Sequence, residues 1–104
     1  MKFKRIIGKK AVEYDDVQNF YLEFSILDSI IEIDGIEAIT HGIRIDKFDS
    51  DGTLVIAIEK IYDITLDKAE IEKLASRLLA GDVEPEILPG IVCDYMNSSE
   101  YLSA

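Results

Sequence analysis

The sequence predicts an α+β fold, an antiparallel meander of about four strands followed by two helices packed on one face of the sheet. Residues 1–64 carry strand patterns separated by short polar turns, and residues 65–96 carry apolar side chains at helical spacing. Because each link between strands is short, neighbouring strands should pair antiparallel. The 104 residues fit one domain, which we place at residues 1–96, with residues 97–104 as a frayed polar C-terminal tail.

A basic first strand over residues 2–14 and an apolar second strand flank a predicted turn at Asp15–Asp16. Within residues 20–26, every other side chain is large and apolar, which predicts one fully apolar face. The other face of this segment also carries large residues, so a second covering partner and core filling within one chain are equally good explanations. Asp28–Ser29 interrupts the apolar run, which we interpret as a bulge.

The third and fourth strands are predicted by their turns. The Asp34–Gly35 pair between β-branched runs is typical of a two-residue hairpin, because both turn positions need a positive φ. Isoleucines then alternate with other residues over 39–46. A second polar loop at residues 49–52 leads into a fourth alternating segment over 53–64.

A helix should follow, because five apolar residues recur at helical spacing and form one stripe. They are Ile71, Leu74, Ala75, Leu78 and Leu79. Asp67 with Glu70 three residues later is a start signal, and Gly81 is a stop signal. Pro85 suits the first turn of a second helix, and Pro89–Gly90 should make the beginning of that helix irregular.

Charge is unevenly distributed along the chain. The sequence has 21 acidic and 11 basic side chains, a net charge of −10. Five of the cations fall within residues 1–10, so residues 11–104 hold six cations against all 21 acids and carry a net charge of −15. A body this negative repels phosphate backbones, so we expect no nucleic acid as a partner. Solubility explains most of the acids, and the lysines of the first strand discourage aggregation through a sheet edge.

Composition also excludes several classes. No run of eighteen apolar residues is present to span a membrane, and the basic N-terminus lacks the apolar stretch of a signal peptide. The single cysteine allows no intramolecular disulfide and no cysteine-based zinc site, so a reducing cytoplasm is the simplest compartment. No glycine-rich phosphate loop occurs. We expect a cytoplasmic protein with no cofactor, no metal and no membrane partner.

The loop around Asp49 and Asp51 is a near-miss for a calcium site. If Gly52 is position 6 of an EF-hand loop, position 1 is Lys47 where a carboxylate is required. Position 12 is then Ile58 where a bidentate glutamate is required. The flanking segments also predict strands and not helices. We therefore interpret this segment as a hairpin loop with favourable turn residues and reject a metal site.

The candidate catalytic residues are His41, Cys93 and Asp94. His41 is the one histidine of the chain and lies among isoleucines on a strand, which is typical of a half-buried packing residue. Cys93, on the second helix, could be a core residue or an exposed thiol. A Cys93–His41 dyad with Asp94 or another acid as the orienting group requires that the fold bring them together through space. We assign no catalytic residue and keep these three as the alternative.

Four segments of the C-terminal half resemble a family of small uncharacterised proteins from clostridia and related Firmicutes. They are residues 41–47 (HGIRIDK), 61–65 (IYDIT), 83–88 (VEPEIL) and 94–95 (DY). His41 stands where the family has an aromatic residue, and Pro89–Gly90 departs from its last helix. The resemblance, over residues 40–96, implies a cytoplasmic bacterial protein and a compact α+β domain, with no catalytic residues to carry over.

The leading hypothesis is a non-enzymatic protein-interaction module, with a homodimer as one form. It would act through its acidic surface or through a sheet face that the helices leave uncovered. The partner would be another protein or a second copy of the chain. Two alternatives stay open: a small enzyme or ligand-binding protein using Cys93 and His41, and an acidic mimic of nucleic acid that inhibits a basic partner.

Overall fold

A computed structural model describes residues 1–14 and 18–97 of the chain. The elements, in chain order, are four strands and two helices, with a 3-10 turn between the helices. They are β1 (Lys2–Tyr14), β2 (Gln18–Ile33), β3 (Ile36–Phe48), β4 (Val55–Thr65), α1 (Lys68–Ala80), the 3-10 turn (Pro85–Ile87) and α2 (Leu88–Met96). The predicted turn at Asp15–Asp16 and residues 98–104 of the predicted tail lie outside the described residues.

The four strands form one antiparallel sheet in the order β1-β2-β3-β4. Both helices pack against one face of it, which we call the covered face. The predicted α+β meander with two C-terminal helices is therefore confirmed. Within the described part of the chain, neither helix packs on the opposite face, which we call the open face.

The hydrophobic core lies between the covered face and the helices. Alternating residues of β2 supply its largest side chains, because strand side chains point to opposite faces in turn. The core residues that are almost completely buried are Leu22, Phe24, Ile26, Ile43, Ile45, Ile71, Ala75, Leu78 and Leu88. Full burial of each large one contributes about 1.5–3 kcal/mol, which makes this layer the main source of stability.

Helix α1 begins and ends as the sequence predicts. The Asp67 carboxylate accepts a hydrogen bond from the Glu70 backbone N–H at 3.1 Å, which satisfies a free donor of the first turn. The Gly81 N–H donates to the Arg77 carbonyl at 3.0 Å at the other end. The buried stripe of α1 is the predicted one, with Leu79 only partly buried.

The second helix begins later than Pro85. Pro85 instead opens the separate 3-10 turn, and α2 begins at Leu88. Pro89, which we expected to disturb the helix, lies in its first turn, where a missing N–H breaks no hydrogen bond. Two prolines four residues apart therefore mark two helical starts in succession.

The bulge predicted at Asp28–Ser29 is wrong. β2 runs unbroken through both residues, and the register with β3 is regular from Ile33 to Tyr21. A polar pair in a central strand needs no break here because the Asp28 carboxylate is hydrogen-bonded by side chains of the two neighbouring strands. The irregular positions lie instead in β1, between Ile6 and Gly8, and in β4.

The larger irregularity of β4 brings its backbone into close contact with Gly42 of β3. Across it, three residues of β4 (62–64) oppose the single Gly42 of β3, and Asp63 takes a left-handed conformation with φ 55°. A Cβ atom at position 42 would lie 2.8 Å from the Tyr62 Cα and closer still to the Ile61 carbonyl oxygen. Only glycine fits at this contact between two backbones.

Candidate functional site

The β2–β3 hairpin extends past both neighbouring strands. β1 pairs with β2 as far as Ser29, and β4 pairs with β3 as far as His41. In the described part of the chain, residues 30–39 pair across their own hairpin, and the Ile30 N–H also donates to the Met1 carbonyl at 2.9 Å. We call residues 30–39 the hairpin projection. At about 3.4 Å per residue, its four residues per strand extend about 14 Å beyond the sheet.

The two-residue turn fixes the register of the hairpin projection. Asp34 and Gly35 have φ values of 52° and 81°, as the predicted hairpin requires. Ile33 then pairs with Ile36, and each residue before Ile33 pairs with the corresponding residue after Ile36, as far as Ile30 with Ile39. The turn therefore decides which side chains share a face.

Four isoleucines of the hairpin projection are exposed to solvent. Ile30 lies opposite Ile39 on the covered-face side, and Ile33 lies opposite Ile36 on the open-face side. Their exposed fractions run from 37% for Ile30 to 71% for Ile36. A two-stranded ribbon is only marginally stable in water, and an apolar patch this exposed is typical of a protein-binding surface.

The charges of the hairpin projection are all negative. Glu32, Asp34 and Glu37 are exposed, and residues 30–39 contain no cation. Glu32 lies directly opposite Glu37 on the covered-face side, a pairing of like charges that weakens a sheet. The side chains on the open-face side of the projection carry no charge; they are Ile31, Ile33, Ile36 and Ala38. Acidic and apolar surfaces are thus segregated on this ribbon.

The open face of the main sheet has the opposite charge balance. Strand pairing places five cations there, namely Lys2, Lys4, Lys9, Arg44 and Lys60. The paired positions of the same face hold three carboxylates, namely Glu13, Glu23 and Asp46. In a chain with a net charge of −10, this face therefore carries more cations than acids.

Some of these cations have carboxylate partners and others do not. Arg44 Nε donates to Asp46 Oδ1 at 2.7 Å, and this hydrogen bond raises the pKa of Arg44. Lys4 Nζ lies 4.0 Å from Glu23 Oε1, at the limit of an ion pair. Lys2 Nζ lies 4.2 Å from the centre of the Tyr62 ring, and no described carboxylate is within ion-pair distance of it. Among the described residues, Lys2 is thus a cation without a carboxylate partner.

His41 lies in a buried polar cluster on the covered face. Its Nδ1 is 2.6 Å from Asp28 Oδ1, and only 6% of the residue is exposed. Arg5 Nε donates to the other Asp28 oxygen at 2.6 Å, and Arg5 also lies 3.9 Å from Glu72 of α1. The cluster links β1, β2, β3 and α1.

Asp28 is the centre of this cluster. Burial alone would raise its pKa, but hydrogen bonds from Arg5 and His41 outweigh burial and lower the pKa below the usual 3.8. An aspartate that orients a histidine is one part of a nucleophilic site. No described hydroxyl or thiol hydrogen-bonds to His41. The described contacts of His41 and Asp28 are therefore those of a structural cluster.

Cys93 and Asp94 lie on α2 and face away from the core. Cys93 is exposed, and its Sγ accepts a contact of 3.5 Å from Asn97 Nδ2. Asp94 is also exposed and borders the groove between the two helices. Among the described residues, no hydrogen bond joins either of them to His41, so the Cys93–His41 dyad stays a prediction.

The groove between α1 and α2 has a volume of about 520 Å³. Its floor is apolar, with Leu74 and Ile91 among the lining residues, and its rim carries charges of both signs. Tyr95 Oη donates to Glu70 Oε2 at 3.3 Å at one side of the groove. Sequence reasoning missed this groove, because it depends on the distance between two helices that the sequence does not specify.

The loop at Asp49 is held by its own backbone. The Asp49 carboxylate accepts hydrogen bonds from the N–H groups of Leu54 and Thr53, at 3.2 Å and 3.1 Å, and these bonds lower its pKa. Asp51 is exposed in the same loop. Across residues 1–14 and 18–97, no three His, Cys, Asp or Glu side chains lie close enough together to hold a metal ion.

Sequence reasoning also missed Asp28 as the partner of His41. The signal was present in the hairpin turn, because a two-residue turn at Asp34–Gly35 pairs positions equally far from it. Counting outward from that turn pairs Asp28 with His41 on the same face. The same count shows how far β2 and β3 run beyond their neighbours.

These features define a class of small α+β protein, with a four-stranded meander covered by helices on one face and a projecting hairpin. The chain belongs to a family of unknown function (DUF6514), whose model matches residues 3–98. The match is longer than the segment of residues 40–96 that carries the resemblance seen in the sequence. No curated protein and no solved structure gives a significant match. No helix in the described residues is long and apolar enough to cross a membrane.

Proposed function

We propose that the protein is a non-enzymatic, cytoplasmic protein-interaction module and that the hairpin projection is its binding element. The single observation that carries the proposal is the exposure of isoleucines on a ribbon that extends beyond the paired parts of β1 and β4. Such a ribbon offers a partner apolar side chains on two faces and backbone edges on two sides.

The apolar surface of the hairpin projection is large enough to support binding. Full burial of an isoleucine contributes about 1.5–3 kcal/mol, and these four side chains are each exposed by about half. Their burial against a partner would therefore contribute about 3–6 kcal/mol. Because association costs at least about 4 kcal/mol, further contacts are needed, and the resulting affinity is that of a transient interaction.

The acids of the hairpin projection specify the chemistry of the partner. Glu32, Asp34 and Glu37 surround the exposed isoleucines without a neighbouring cation. A partner surface should therefore be apolar at its centre and basic at its rim. Complementary charge raises the rate of association, and salt should slow it. An acidic mimic of nucleic acid would use the same charges, but it needs no exposed isoleucine.

In-cell photocrosslinking tests the proposed function. A photoreactive amino acid replaces Ile36 in the cells from which the protein comes, and a matched control variant carries it at Ser76, an exposed position on α1. We expect a small number of discrete protein adducts from position 36, and their loss when Ile33→Asp is added. Adducts of equal yield from both positions, or none from position 36, would contradict a binding role for the projection.

A further inference from the structure

We infer that the partner of the hairpin projection is a second copy of this chain. The two copies would pack face to face through the open-face sides of their projections, about a two-fold axis that crosses the strands at the Ile31–Ala38 pair. This inference rests on the proposed function and names the partner for the same surface. It follows from three properties of the projection: its apolar side, its acidic tip and the cations beside its base.

The apolar side of the projection is complementary to itself. In a two-fold packing that reverses the strand direction, the Ile31–Ala38 pair of one copy meets the same pair of the other. The Ile33–Ile36 pair then lies over the Ser29–Thr40 pair of the second copy, because both are two residues from the axis. Ser29 and Thr40 are each only 4% exposed, and the Lys2 side chain lies over the Tyr62 ring on this face, so the Ile33–Ile36 pair of one copy would meet Lys2 and Tyr62 of the other.

Charge selects this antiparallel arrangement. Asp34 lies three residues beyond the axis, a distance of about 10 Å. Lys2 and Lys4 lie two and four residues from the axis on the other side, about 7 and 14 Å, through their pairs with Ser29 and Leu27. Asp34 at the turn of each copy therefore lies near Lys2 and Lys4 of β1 in the other copy. A parallel packing would instead bring the two acidic tips together, and like charges oppose it.

Lys2 is the cation best placed to pair with Asp34 of the second copy. It is exposed, it lies over the Tyr62 ring, and no described carboxylate pairs with it. In the two-fold packing, Asp34 of the second copy provides that carboxylate. Each dimer contains the contact twice, because a two-fold interface uses the same surface of both chains. A nucleic acid could also use these cations, but the acidic projection beside them would repel it.

Sedimentation equilibrium of the purified chain over a range of concentrations tests the inference. We expect a weak dimer whose fraction rises with protein concentration. We expect Ile36→Ser to raise the Kd at least tenfold. The matched control is Ile39→Ser, which removes an isoleucine that is 52% exposed, against 71% for Ile36, from the covered-face side of the same projection. It should leave the Kd within twofold.

A double-mutant cycle tests the charge contact. Asp34→Asn keeps a residue that tolerates the left-handed turn position, and Lys2→Ala removes the cation. Each single variant should raise the Kd about threefold to tenfold, and the double variant should raise it no further than the larger single effect. Circular dichroism should show unchanged folding for all of these exposed substitutions. Independent effects that multiply would contradict the contact.

Three results would overturn the inference. They are a monomer at every concentration, equal effects of Ile36→Ser and Ile39→Ser, and dissociation of a dimer by a single-stranded oligonucleotide that occupies the open face. The photocrosslinking outcome then separates the two proposals. If position 36 captures a different protein while the purified chain stays monomeric, this inference fails and the proposed function stands. If position 36 captures nothing either, both fail.

Discussion

Replacement of Asp28 by alanine should markedly destabilise the fold. Asp28 is the common partner of His41 and Arg5, so its removal leaves both donors without their acceptor. His41 cannot form a replacement hydrogen bond with water, since only 6% of it is exposed. The Arg5 side chain is 39% exposed and can be hydrated instead.

The magnitude follows from these two exposures. A hydrogen bond to a charged group contributes about 1.5–3 kcal/mol, and a buried donor left unpaired costs about as much. The partly exposed Arg5 pair adds only about 0.2–1 kcal/mol after solvent screening. We therefore expect Asp28→Ala to lower the free energy of unfolding by about 2–3 kcal/mol. A domain of this size has about 5–10 kcal/mol in all, so the loss is large.

Urea unfolding measures this loss, and its pH dependence tests the cause. Hydrogen bonds hold the pKa of Asp28 below 3.8 in the folded chain, so the stabilisation is present above that pH. It is lost as the pH falls through the lowered value. The stability difference between wild type and Asp28→Asn should thus shrink as the pH falls below 3.8. Glu72→Gln, which alters an exposed partner of Arg5, is the control. A loss under about 0.5 kcal/mol for Asp28→Ala would refute the reasoning.

Two further substitutions test the backbone features of the fold. Gly42→Ala places a Cβ against the backbone of β4, so we expect about 2–4 kcal/mol of destabilisation and exchange broadening of β4 amide signals by NMR. Unchanged stability would mean that the backbone of β4 leaves room for a Cβ atom at position 42. Asp67→Ala removes the N-cap of α1 and should cost about 0.5–2 kcal/mol by urea unfolding, whereas Asp67→Asn should cost little.

Much of the fold could be predicted because local chemistry decides it. The Asp34–Gly35 turn requires two positive φ values, and few other residue pairs accept them. Asp67 and Gly81 mark the ends of α1 through hydrogen bonds that involve only neighbouring residues. These elements need no knowledge of distant contacts, and the structure has them where the sequence places them.

The remaining features depend on contacts between distant residues. The break predicted at Asp28 is absent because Arg5 and His41, from two other strands, satisfy its carboxylate. The larger irregularity of β4 lies opposite Gly42, and the sequence of β4 has no glycine or proline as a signal. The cationic balance of the open face is equally invisible in a chain of net charge −10, since it appears only after the strands are in register.

The exposed projection is a consequence of unequal element lengths. A helix rises about 1.5 Å per residue, so the 13 residues of α1 span about 20 Å. A strand rises about 3.4 Å per residue, so the 16 residues of β2 span about 54 Å, close to the 52 Å longest dimension of the molecule. Neither helix can cover such a strand, even when laid along it. The apolar end of the β2–β3 hairpin must therefore remain in solvent or find its cover on another molecule, and its isoleucines favour the second outcome.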